Sequence, residues 1–308
     1  MADYCASPDT LTLAIAGGPS LDLMSDQQGL RVASLDLGYP AVREDENLRP
    51  DAQGTIDVTR LFGARAVTIN GALVPSPAGS RQASWHKLAP FLDPGQRLTL
   101  TYRVDGDVVT KTMTVRAAQA TATFDNPTTS PVQLGFKAAD PLAYDQNAQS
   151  AFAFASSGIG AGRAYPLVFN RVYPAGGSTT VATRNYGDFP VYPLLRFYGP
   201  MTSIILNWHA WPVVGGASVN GIFSFQNAYA IAVGDYVEVD CRRRTVLLNG
   251  NSAQSQYSQL KTPVQWPFIP PGGAPVLAQG TYTQWSAAAT GTGTSSGVQI
   301  NWADAYLV

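Results

Sequence analysis

Charge, cysteine and histidine are all scarce in this chain, and each shortage removes a class of function. Charged residues make up 13% of the 308 residues, well below the roughly one quarter usual for a soluble globular protein. The formal net charge is −1 and the pI about 6.1, and basic residues bunch only at Arg242-Arg243-Arg244. The phosphate-neutralising stripe of a nucleic-acid binder is therefore missing. A sparsely charged chain rich in apolar and small residues suits surfaces that are covered by copies of itself or by neighbours.

The two cysteines, Cys5 and Cys241, are far apart and lack C-x-x-C spacing, so they read as isolated thiols and support neither a zinc site nor a disulfide framework. The two histidines are His86 and His209, and no H-E-x-x-H pair exists. No phosphate-cradling G-x-x-x-x-G-K-[ST] loop occurs either. No eighteen apolar residues run together, and the N-terminal residues lack a basic segment followed by an apolar core, so the expectation is a cytosolic product without membrane insertion. We expect no enzyme, cofactor or metal. One carboxylate pair, Glu238 and Asp240, would lie about 7 Å apart on one strand face, a separation that overlaps glycosidase geometry. The adjacent arginines instead mark the two as paired surface groups.

Turn formers and aromatics are plentiful: 29 glycines, 22 prolines and 10% aromatic residues, which favours β-sheet with many turns. The length suffices for two domains with separate cores. The organising stretch runs from Ala228 to Gly250. Val237 and Val239 alternate with Tyr236, Glu238 and Asp240, the period of a half-buried strand. A second apolar run, Thr245 to Leu248, stops at Asn249-Gly250, a pair that tolerates positive φ. The two form a hairpin with Val237, Val239, Val246 and Leu248 facing inward.

Before it, short alternating runs fill residues 11–37, and Arg43 to Pro50 is the most charged stretch, read on its own as a solvated loop. One helical window follows, with Ser80 as N-cap, Trp85, Leu88 and Leu92 spaced for a buried face, and Pro94-Gly95 as the stop. Leu98 to Val104 and Val108 to Thr114 alternate about Asp105-Gly106, a hairpin signal. Composition shifts to Ala, Ser, Gly and Gln after Tyr144, placing a linker or connecting segment at 141–164. Seven or more short strands beyond it argue for a sandwich or jelly roll.

Several of these segments resemble siphophage distal tail (Dit) proteins. The most specific is Gly54, Asp57, Thr59, Gly63, Arg65, Val67 and Gly71 in the first half. It is joined by Phe136 to Tyr144 with its Asp140-Pro141 turn, Asn185-Tyr186-Gly187 before a strand, Gly234-Asp235 through Asn249-Gly250, and Trp266 to Gly272. The match covers both halves, although Gly273 stands where the family has Asn. The resemblance implies a mainly β protein of two domains. Residues 1–140 would be a β-sandwich or barrel-like ring-forming domain with one short helix, and residues 165–308 a jelly-roll sandwich like galectins or carbohydrate-binding modules. It further implies a homo-hexamer that joins the tail tube protein to the tip or baseplate hub and other minor tail proteins, in the virion after synthesis in the host cytoplasm. The charged stretch, with Arg43, Glu44, Asp45, Glu46 and Arg49, would belong to a hairpin arm reaching the neighbouring subunit.

A competing expectation is a module that binds host cell-wall polysaccharide. Trp208 and Trp211, with Tyr229, Trp266 and Trp285, offer aromatic faces on which sugar rings stack. The same residues also suit a sandwich core or a subunit interface, and fold resemblance alone does not decide between them.

Overall fold

The computed structural model describes residues 5–6, 8–25, 29–43, 47–48, 55–56, 61–75, 80–124, 128–155, 180–211, 218–272, 282–293 and 295–307. The protein is mainly β, in several antiparallel sheets, as expected. It divides into two compact units: Met1–Gln146 with Leu307–Val308, and Asn147–Tyr306. The first unit is thus discontinuous in sequence.

Its main sheet is built from β1 (Cys5–Ala6), β2 (Pro8–Ile15), β3 (Ser20–Asp22) and β4 (Leu30–Asp36). Two very short ladders come next: β5 (Val42–Arg43) pairs with β8 (Leu61–Phe62), and β6 (Asn47–Leu48) with β7 (Thr55–Ile56). The sheet then continues through β9 (Arg65–Leu73), β10 (Leu98–Val104), β11 (Lys111–Ala122), β12 (Ser130–Ala138) and β13 (Ala143–Asp145). Strand β11 is the corner. Residues 111–115 pair with β10, whereas residues 116–122 pair with β12 across a register shift between Ala117 and Gln119. A bulge of this kind bends a strand and lets one sheet turn over a core. Alternating Leu11, Leu13, Leu98, Leu100, Leu134 and Phe136 fill that core.

Helix α1 (Arg81–Leu88) lies where the sequence places it, and Ser80 caps it by accepting the Ala83 N–H at 3.3 Å. Leu88 is buried, and so is Phe91 in the 3₁₀ turn that follows, while Trp85 and Leu92 pack against the core only in part. Pro90 tightens the last turn and rotates Phe91 inward, where a regular helix would aim Leu92. The Asp105-Gly106 turn also forms, with Gly106 at φ +83°. Strand pairing resumes only at Lys111, so Val108 is exposed and the alternation from 108 to 110 marks no strand.

Within the 141–164 stretch, residues 143–145 and 149–154 are strands, and 156–164 lie outside the described residues. In the second unit one sheet runs β14 (Gln149–Phe154), β23 (Gly297–Trp302), β16 (Leu194–Tyr198), β20 (Tyr236–Asp240), β21 (Thr245–Leu248). The other runs β15 (Thr180–Thr183), β22 (Tyr282–Thr290), β17 (Met201–Trp211), β18 (Val219–Ser224), with β19 (Ala230–Ile231) beside β17. The short β24 (Ala305–Tyr306) ends this unit. Phe197 of the first sheet meets Phe223 at 6.0 Å and Phe225 at 5.3 Å, so the sheets pack face to face around an aromatic core.

Candidate functional site

Two features stand out from the scaffold. The first is the pair of short ladders. Val42 faces Phe62 and Arg43 faces Leu61, then Asn47 faces Ile56 and Leu48 faces Thr55. They are two separate two-residue antiparallel ladders, 42–43 with 61–62 and 47–48 with 55–56, and the residues between them lie outside those described. Neither rung pairs with another described strand. Of the expected arm residues, Arg43 lies in the first rung by its backbone, while Glu44, Asp45, Glu46 and Arg49 lie outside the described residues.

The second feature is the outer face of the β15–β22–β17–β18 sheet. Along β17, Ile204, Leu206, Trp208 and Ala210 point into the core, so Ile205, Asn207, His209 and Trp211 share the opposite face. Antiparallel register sets Gln284 and Asn220 on either side of His209, and Ser286 and Ile222 on either side of Asn207. These polar groups line a concavity of about 500 Å³, with Gln265 at its rim. Gln265 is held there because its side-chain oxygen accepts the Ile222 N–H at 2.8 Å. Among the described residues the lining contains no carboxylate, lysine or arginine.

Trp208 and Trp211 do not form one platform. They are three residues apart on a strand, which places them on opposite faces. Trp208 is 5% exposed, with its indole edge-on to Phe268 at 5.5 Å and pressed beneath Gly221. Trp211 is half-buried at the margin of the outer face, stacked on Tyr282 at 4.5 Å, with the His209 ring 3.6 Å away. Trp285 is fully buried and donates its indole N–H to Thr183. Period-two alternation through 207, 209 and 211 was the signal that separates the face residues from the core residue 208. Asn220, Gln265 and Gln284 come from strands and loops distant in sequence, and only the register unites them.

The Asn-Gly and Asn-Tyr-Gly turns singled out in the sequence have local explanations. Asn249 and Gly250, at φ +51° and +67°, form a tight turn closed by the Asn251 N–H on the Leu248 carbonyl at 2.9 Å. The Asn249 side chain also accepts the Tyr236 N–H and donates to Asp235, each at 2.9 Å. It thereby fastens the turn that Gly234 makes at φ +85°. Asn185 is fully buried. It accepts the Gly187 N–H at 2.9 Å and donates to the Phe189 carbonyl at 2.7 Å, shaping the turn before the strand.

The carboxylates are occupied. Glu238 is paired with Arg196, directly opposite on β16, at 2.9 Å, rather than with the arginines that follow Cys241. Asp240 accepts the N–H groups of Arg242 and Arg243 at 3.0 and 2.9 Å and closes the turn. The string Gly293-Thr294-Ser295-Ser296-Gly297 fits the G-x-S-x-G pattern of a nucleophile elbow by residue type. It joins strand β22 to strand β23 instead of a strand to a helix, so the elbow's strand-to-helix turn is not its setting. Among the described residues no three His, Cys, Asp or Glu side chains gather as a metal site, and no helix is long and apolar enough to cross a membrane.

No family model and no curated protein matches the chain. Its structure is similar to the crystal structure of the SPP1 Dit protein, described as a paradigm of hub adsorption apparatus in phages infecting Gram-positive bacteria. The TM-score is 0.60 at 14% identity, over 96% of this chain and 98% of that one. Chains of the phage P2 baseplate in its activated conformation, with calcium and with strontium, match at TM-scores of 0.44 and 0.45 and identities of 9% and 10%. Each covers 95% of this chain and 97% of the other. The chain has the fold of a distal tail protein.

Proposed function

We propose that this protein is the structural distal tail component of a long-tailed phage. Copies of its first unit close into a hexameric ring between tail tube and tip, and the second unit belongs to the hub on which other tail proteins assemble. The observation that carries the reading is the fold shared with SPP1 Dit along nearly the whole of both chains. The two short ladders, 42–43 with 61–62 and 47–48 with 55–56, add a physical argument. A lone two-stranded ribbon is marginal in water, and its unpaired edges invite another chain. A neighbouring copy satisfies it, and a head-to-tail contact of that kind closes into a ring. The charge-poor composition suits surfaces covered in such an assembly. The role is structural, with no reaction assigned.

Sedimentation of the purified chain is expected to give six times the 32.7 kDa protomer mass. Replacing residues 44–60 by a short glycine linker should leave both units folded and return a monomer. A wild-type chain that stays monomeric at about 50 μM, far above the Kd of a stable interface, or a ring that survives loss of residues 44–60, would count against the reading.

A further inference from the structure

We infer that the free edge of strand β18, at residues 218–222, is a docking site for an extended, uncharged segment of a different polypeptide, which adds to the second unit as a further strand.

Strand β18 ends its sheet: β17 pairs with one side of it, and no described strand pairs with the other. In an antiparallel ladder the backbone groups of alternate residues face the neighbouring strand or turn away from it. The Ile222 N–H is bonded to the Gln265 side chain, and the Ser224 carbonyl accepts the Lys261 N–H, so residues 220, 222 and 224 are the ones that face away from β17. The chain itself begins to cover this edge. Leu260 bridges antiparallel to Phe225, and the Gln226 N–H reaches the Gln259 carbonyl at 2.8 Å. That register sets Pro263 opposite Ile222, and proline has no N–H with which to continue. The ladder stops there. The Asn220 N–H and carbonyl and the Ile222 carbonyl are left without a backbone partner among the described residues.

The chemistry of the gap selects a peptide backbone. Gln265 lends Ile222 a side-chain amide oxygen at 2.8 Å, the same kind of acceptor that a peptide carbonyl brings, and so holds the place of one rung of a further strand. Ser218 to Ser224 contains no Lys, Arg, Asp, Glu or Pro, the residues with which edges are commonly blunted against pairing. Ile222 is 54% exposed and Ile205 39%. The two are diagonal neighbours on the outer face, where a β-branched or aromatic side chain of an added strand gains apolar contact. The adjoining concavity offers no carboxylate, lysine or arginine among the described residues, which favours an uncharged segment. Main-chain pairing at a sheet edge is an established mode of peptide recognition. That the segment comes from a different chain rests on the ring proposed above: pairing β18 with its own copy along the same edge needs a twofold axis, which neighbouring copies in such a ring do not share.

The full chain is panned against a library of random heptapeptides, and the selected sequences are synthesised and titrated by calorimetry. Uncharged peptides with β-branched or aromatic residues at every second position are expected, one bound per chain, with slowed amide exchange at residues 218–222. Methylating alternate backbone nitrogens of the peptide should abolish binding. Asn220→Pro removes an N–H that faces away from β17, a position where edge strands accept proline, and should weaken binding at least about tenfold. Ile222→Lys, which places a charge on the edge, should act in the same sense. Gln265→Ala frees the Ile222 N–H and should tighten binding about two- to fivefold, a gain that a glutamine with only a structural role would not give. Thermal melts check that each variant keeps its fold. The inference is overturned if no heptapeptide binds more tightly than about 1 mM, if Asn220→Pro and Ile222→Lys leave binding unchanged, or if Gln265→Ala binds no better than wild type. A dimer of the chain lacking residues 44–60 that Ile222→Lys abolishes would make the occupant a second copy and overturn the assignment to a different chain. Peptide binding is read on each copy whatever the assembly, so a failed ring and a failed edge site remain distinguishable.

Discussion

Val239 and Glu238 are adjacent in sequence and opposite in consequence. Val239 is fully buried between the sheets, and replacing it with Asp leaves an unpaired carboxylate in the core. That change should cost several kcal/mol, enough to unfold a unit of ordinary stability in a urea titration. Glu238 bonds Arg196 at a site where the two side chains keep 21% and 38% of their exposure. Glu238→Gln is therefore expected to cost no more than about 1 kcal/mol and to leave assembly intact. Cys241 is a third kind of residue, a free thiol buried at the end of β20. Burial pushes its ionisation well above the ordinary 9.0, so the folded form keeps the proton and the unfolded form releases it. Stability from this group is complete below pH 9 and falls as pH rises further. Chemical denaturation from pH 7 to 10.5 should show that decline, and Cys241→Ala should flatten it. Burial raises the Tyr102 hydroxyl as well, so the variant still falls above pH 10, though less steeply.

At the level of elements, Asn249 shows how much of this fold is legible in sequence. Asn-Gly after an apolar run announces a turn with positive φ, and the turn forms. What the sequence does not display is the second task of the same side chain, holding the turn before β20 through Tyr236 and Asp235, because that contact spans thirteen residues of unrelated spacing. Asn249→Ala removes both bonds and strains a φ of +51°, and should lower stability by about 2 kcal/mol. Asn249→Gly, which relieves the backbone, should lose less. The same divide explains the rest. Ser80, Leu11, Leu13, Val237 and Val246 are set by local period and capping, and are read directly. The corner in β11 rests on a register shift, and the polar face depends on which strands become neighbours. Both are properties of pairing, which alternation alone leaves undetermined.

For the whole molecule, the decisive feature is that the first unit includes Leu307, far along the sequence from its other residues. Arg65, fully buried in the first unit, donates from Nη2 to the Leu307 carbonyl, while its Nε and Nη1 have no partner among the described residues. Burial lowers its pKa, with the Tyr102 hydroxyl and Asp140 acting in the opposite sense. A guanidinium so placed is costly to leave alone: a buried donor deprived of its acceptor typically costs about 1–3 kcal/mol, more when charged, whereas exchanging the charge for an apolar group of similar volume is often neutral or better. Removing residues 307 and 308 from the full chain should therefore lower the melting temperature of the first unit, with the second unit less affected. Arg65→Met in that shortened chain should restore much of the loss, because the group left without its acceptor is gone. Calorimetry of the four proteins, with and without each change, separates this account from simple loss of packing. If the shortened chain is equally destabilised whether residue 65 is Arg or Met, the carbonyl contact is not the source of the loss.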